Sequence, residues 1–165
     1  MGSGLSHGVQ GGSCTKHSRC ACAMAGGILV PPQGGHFKIN VDGVVFHAQK
    51  AVGVRVVIRD DKGRLKAALC RKITAPMGAT EAEAKAFEAG LLFAKDVGVR
   101  DVILEGDSLV VYNALCNISP PPSLIASVVQ GLLDKSGDFR SVGYSHVRRQ
   151  GNLPAHILAK HTFGS

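Results

Sequence analysis

The chain has 165 residues and a mass of 17.2 kDa, enough for one ordinary domain plus a tail and too little for multi-domain machinery. With 45% apolar and 19% charged residues it is neither an acidic disordered chain nor a membrane protein, because no uncharged apolar stretch approaches the roughly 20 residues of a spanning helix. Nineteen Lys and Arg against twelve Asp and Glu give a formal net charge of +7, a sign that favours a polyanionic partner, either nucleic acid or an anionic membrane surface.

Residues 1–41 contain no acid, recur in Gly, Ser and His, and lack apolar periodicity. They read as a weakly ordered leader, assigned to 1–35, with a domain over 36–165 after the Pro31-Pro32-Gln33-Gly34-Gly35 punctuation. Five cysteines without a framework spacing, and no secretory signal, imply reduced thiols and an intracellular protein in the nucleus or cytoplasm, with an organelle also open. Cys14, Cys20 and Cys22, near His7 and His17, offer zinc donors but not the paired C-x2-C spacing of closed sites, which favours a tail that happens to contain cysteines.

Alternation at 37–41 and apolar runs at 52–58 and 65–70 predict three strands, the last two joined by a turn at Asp60-Asp61-Lys62-Gly63. Residues 80–97 switch to helical periodicity, 102–105 revert to strand, and 108–117 return to helix. Ser119-Pro120-Pro121-Pro122 ends that helix and Ser123 is the expected cap of another reaching about residue 133. A last strand at 139–147 and a final helix at 153–162 complete the chain. An antiparallel meander followed by parallel crossovers makes an α/β fold.

Asp42 ends the first predicted strand beside Gly43 and reads either as a turn or bulge residue or as a site residue. Asp107 ends the strand at 102–105, where Gly106-Asp107-Ser108 also suits a helix cap. Glu83 fits a capping box with Thr80, yet its helical stripe contains Phe87, Gly90, Leu91 and Ala94, the face that must meet the sheet, whereas Glu81 and Lys85 form a solvent-facing pair. Three carboxylates gathered at one sheet edge would demand a cation, and oxygen-only ligation suits Mg²⁺ or Mn²⁺. Downstream, Arg140, Arg148, Arg149 and Lys160 lie in an acid-free stretch suited to phosphates or simply to solvent.

The series Lys38-Ile39-Asn40-Val41-Asp42-Gly43, Ala82-Glu83-Ala84, Glu105-Gly106-Asp107-Ser108 and His146-Val147-Arg148-Arg149 with Asn152 resembles the type 1 ribonuclease H domain. The similarity is closer to the reverse-transcriptase-like branch of plant proteins and retroelement-derived reading frames, and covers about 37–162. The resemblance implies a five-stranded mixed sheet flanked by helices and a monomeric endonuclease that cuts the RNA strand of RNA/DNA hybrids with two divalent ions and no membrane partner. It implies metal binding by Asp42, Glu83 and Asp107, proton transfer or product release by His146, and nucleic-acid contacts from Gly43, Ser108, Arg148, Arg149 and Asn152. Where the family carries a fourth carboxylate this chain has His156, a poorer ligand for hard Mg²⁺. The Asn-rich gripping run and the Trp-containing basic handle are missing as well. The alternative that follows is a weak or catalytically silent nucleic-acid-binding domain.

Overall fold

The computed structural model describes residues 18–21 and 35–148. The elements are strands β1 (Ser18–Ala21), β2 (Phe37–Phe46), β3 (Ala51–Arg59), β4 (Leu65–Ile73), β5 (Asp101–Gly106) and β6 (Ser141–His146) and helices α1 (Ala79–Val97), α2 (Leu109–Leu115) and α3 (Ala126–Ser136), which from β2 onward follow the order expected from the periodicities. The sheet runs β1-β6-β5-β2-β3-β4. Strands β2, β3 and β4 are the antiparallel meander, and β5 and β6 join it in parallel. Strand β1, which pairs in parallel with β6, adds an edge strand that the patterning of the leader does not foretell.

The β3–β4 turn forms where Asp60 to Gly63 predict it: Gly63 N–H donates to the Asp60 carbonyl, and the Asp60 carboxylate accepts the Lys62 and Arg64 N–H groups and the Arg64 guanidinium. Burial pushes the Asp60 carboxyl up, but those bonds together outweigh it and hold it at about 2. Among the described residues strand β4 has a partner on one side only, and Lys66, Arg71 and Lys72 on it are exposed.

Helix α1 lies on β2, β3 and β5 and against α3. Its buried stripe of Ala82, Ala86, Phe87, Gly90, Leu91 and Ala94 is short enough in side chain to bring the helix close to the sheet. A Cβ placed on Gly90 would stand 2.5 Å from Val41 Cγ1. Ile39, Val41, Leu104, Val142 and Tyr144 complete the core beneath these helices, and Tyr144 OH meets Ser136 Oγ at 2.6 Å to tie β6 to α3. Alternation along β2 sends Lys38, Asn40 and Asp42 to the opposite face, where they too are buried. Helix α3 begins at Ala126 rather than Ser123, because residues 122–126 first form a turn in which Ile125 and Ala126 N–H donate to the Pro122 and Ser123 carbonyls. The final helix expected at 153–162 lies outside the described residues. Among those residues no helix is long and apolar enough to cross a membrane. Cys70 is a free thiol.

Candidate active site

Strand β2 does not stop at Asp42. It continues through Val44-Val45-Phe46, so Asp42 is an interior strand residue with 2% exposure rather than a turn residue. Its cross-strand partner is Arg55 on β3, and Arg55 Nη1 donates to Asp42 Oδ2 at 3.0 Å with both side chains buried. Arg55 is a site neighbour that the linear reading misses. The signal for it was an always-charged residue inside the run Val52-Gly53-Val54-Arg55-Val56-Val57, which obliges the fold to supply a buried anion.

Glu83 reaches the site because it is not used as a cap. Helix α1 starts two residues before the expected capping pair, with Gly78 as N-cap, and Gly78 N–H donates to Glu81 Oε2 at 2.8 Å. The capping-box reading therefore transfers from Glu83 to Glu81, and Lys85 pairs with Glu88 at 2.8 Å instead of with Glu81. Gly43 sits directly under this first turn. A Cβ there would lie 2.4 Å from the Ala82 carbonyl oxygen and 2.9 Å from Glu83 N, so the absence of a side chain lets β2 and α1 bring Asp42 and Glu83 together.

Asp107 follows β5 and precedes Ser108, whose Oγ accepts the Val111 N–H at 3.4 Å as the N-cap of α2. The cap is thus Ser108, and the Asp107 carboxylate lies with the other two acids. On β6, His146 Nε2 donates to the Asp107 carbonyl oxygen at 3.2 Å, and its ring lies 6.1 Å from that of Tyr112. That bond places the proton on Nε2 in the neutral ring and leaves Nδ1, which is buried without a hydrogen-bond partner, as the basic nitrogen.

One carboxylate oxygen each from Asp42, Glu83 and Asp107 lies within 4.8 Å of the others. A central strand, the first turn of a helix and the end of a neighbouring parallel strand thus deliver three hard oxygen donors to one place. This donor set fits Mg²⁺ or Mn²⁺ and not a soft metal. Beneath it, Glu105 Oε1 accepts from Asn40 Nδ2 at 2.9 Å, and Glu105 Oε2 accepts from Ser145 Oγ at 3.1 Å and lies 3.2 Å from Lys38 Nζ. The network locks β2, β5 and β6 one or two residues away from Asp42, Asp107 and His146. Arg148 is exposed just beyond β6. Arg149, Asn152 and His156 lie outside the described residues.

A mixed sheet in the order β6-β5-β2-β3-β4 with α1 laid across it, one acid inside β2 and another just after β5, defines a ribonuclease H-like α/β fold. The reverse transcriptase-like family model matches residues 40–162, and the chain belongs to that family. Among solved structures it is similar to RNase H1 from the halophilic archaeon Halobacterium salinarum NRC-1, at 25% identity over 79% of this chain and 100% of that one, with a TM-score of 0.67. The N-terminal RNase H domain of rv2228c from Mycobacterium tuberculosis shares the fold at 20% identity, covering 74% and 95% of the two chains with a TM-score of 0.66. LC11-RNase H1, solved in complex with an RNA/DNA hybrid, shares it at 18% identity, covering 74% and 92% with a TM-score of 0.67. No curated protein sequence matches the chain.

Proposed function

We propose that this protein is a divalent-metal-dependent endoribonuclease that binds RNA/DNA hybrids and cuts their RNA strand, acting as an intracellular monomer in the nucleus or cytoplasm. The observation that carries the reading is the convergence of Asp42, Glu83 and Asp107 within 4.8 Å on a ribonuclease H-like sheet. In it, residues 36–165 are the nuclease domain and 1–35 a leader. Asp42, Glu83 and Asp107 hold the metal, with His156 in the position of a fourth ligand. Bound Mg²⁺ or Mn²⁺ ions would neutralise the scissile phosphate, activate a water and stabilise the departing 3′ oxygen. His146 moves a proton at Nδ1. The chain's formal +7 charge, to which Arg148 and Arg149 contribute, draws in the phosphate backbone. Gly43, Ser108 and Asn152 approach the nucleic acid through backbone and short polar groups.

The second reading, a binder that does not cut, is favoured by one specific observation: a buried guanidinium already pairs with Asp42, in a chain whose fourth ligand position is a histidine. The test is cleavage of a labelled RNA/DNA hybrid by the full chain in Mg²⁺ and then Mn²⁺, beside Asp42→Asn and His156→Asp. The enzyme reading requires RNA-strand cutting that Asp42→Asn lowers at least about 100-fold, and His156→Asp raises the rate in Mg²⁺. Salt-sensitive hybrid binding with no cutting in either metal would establish the second reading instead.

A further inference from the structure

The three acids do not stand alone, and the residue that modifies them comes from β3, which contributes nothing else to the site. Arg55 is 2% exposed, lies directly across the ladder from Asp42, and holds one of its two oxygens at 3.0 Å. A guanidinium stays charged at every pH a folded protein survives, and a pair buried this deeply is little screened by salt.

We propose that Arg55 is a resident counter-cation of the acid cluster, a positioning residue that sets how tightly the site holds divalent metal. The proposal rests on the metal-site reading above and specifies its regulation. The geometry sets one fixed positive charge against the three acids, on Oδ2 of Asp42. Two cations sharing one carboxylate stand on the order of 5 Å apart, and at that separation even a water-like dielectric sets a unit charge against a divalent ion strongly enough to cost about tenfold in affinity. A metal site built this way fills at higher free metal than one with three unpaired acids, and gains more from the negative charge of a bound phosphate.

The test is calorimetric titration of Mn²⁺ alone into the full chain at neutral pH for wild type, Arg55→Gln, Arg55→Lys and Asp42→Asn, together with melting curves at increasing Mn²⁺. Arg55→Gln keeps a donor for Asp42 but removes the charge, and it should bind Mn²⁺ at least about tenfold more tightly than wild type. It should melt lower without metal and gain more on adding Mn²⁺. Arg55→Lys, which keeps the charge, should stay within about threefold of wild type. If Arg55→Gln fails to fold without metal, Mn²⁺ should restore its circular-dichroism signal, and failure to do so overturns the proposal. Equal or weaker Mn²⁺ affinity in Arg55→Gln, while Asp42→Asn loses binding, refutes the role of Arg55 and leaves the metal site standing. Unchanged Mn²⁺ binding in Asp42→Asn removes the metal-site reading and the proposal with it.

Discussion

Adding one methyl group at Gly43 should damage both the fold and the site. In Gly43→Ala the new Cβ would fall 2.4 Å from the Ala82 carbonyl oxygen, 2.5 Å from its carbon and 2.9 Å from Glu83 N. All three are backbone atoms of the first turn of α1, so no side-chain rotation relieves the clash. Ordinary contact begins near 3.4 Å, and the helix start must therefore withdraw from β2 by about 1 Å. Overpacking of this kind costs roughly 1–3 kcal/mol. Glu83 travels with the helix while Asp42 stays in the strand, and a displacement of that size at a catalytic group costs on the order of 100-fold in rate. Urea denaturation gives the first quantity, and initial rates of hybrid cleavage at saturating Mn²⁺ give the second. Stability within about 0.5 kcal/mol of wild type, the range of an ordinary surface change, would refute the close approach. Lowered stability with an unaltered rate would refute the claim that this contact sets the spacing of the acids.

Gly90→Ala also meets a neighbour at 2.5 Å, but that neighbour is the Val41 Cγ1 methyl. Its cost of roughly 1–3 kcal/mol should therefore shrink when Val41→Ala is combined with it, a coupling that a double-mutant cycle by urea denaturation would measure. Glu105→Leu removes the acceptor of three buried donors and should cost about 3–5 kcal/mol, whereas Asp138→Ala, which breaks an exposed pair with Lys95, should leave the denaturation midpoint nearly unmoved. Equal losses in the two denaturation curves would contradict the role given to burial. The Asp60 carboxyl is held at about 2, below its unfolded value of about 3.9. Its stabilisation is therefore complete above pH 4 or so and is lost as pH falls through 2. Asp60→Asn should flatten the melting temperature across that window, and an unchanged acid limb would count against the hydrogen bonds assigned to it.

Periodicity located the elements well because the sheet has a helix-covered face that must be apolar, which leaves alternation in β2 and a 3.6-residue stripe in α1. It failed where local chemistry offered two answers. Thr80 followed by Glu83 satisfies the capping pattern, but the chain begins its helix at Gly78, whose N–H is reached by Glu81. Gly43 resembles a turn residue because the property it serves, clearance for α1, exists only after the helix has docked. Glu83 and Asp107 were legible as acids on a sheet-facing stripe and at a strand end, and Asp42 as an acid inside an otherwise apolar strand pattern. Their true neighbours Arg55 and Glu105 were hidden, since both act through cross-strand register, which single strands do not encode.

The outer rim of β4 has a consequence for association. An unpaired strand edge is a template for a second chain, and two copies of a sheet can join through it. Here the exposed Lys66, Arg71 and Lys72 put like charges against like wherever two such edges align. Repulsion at the rim thus guards a Val-rich, aggregation-capable meander while it is newly made, and the same positive fringe repels copies of the protein and attracts polyanions.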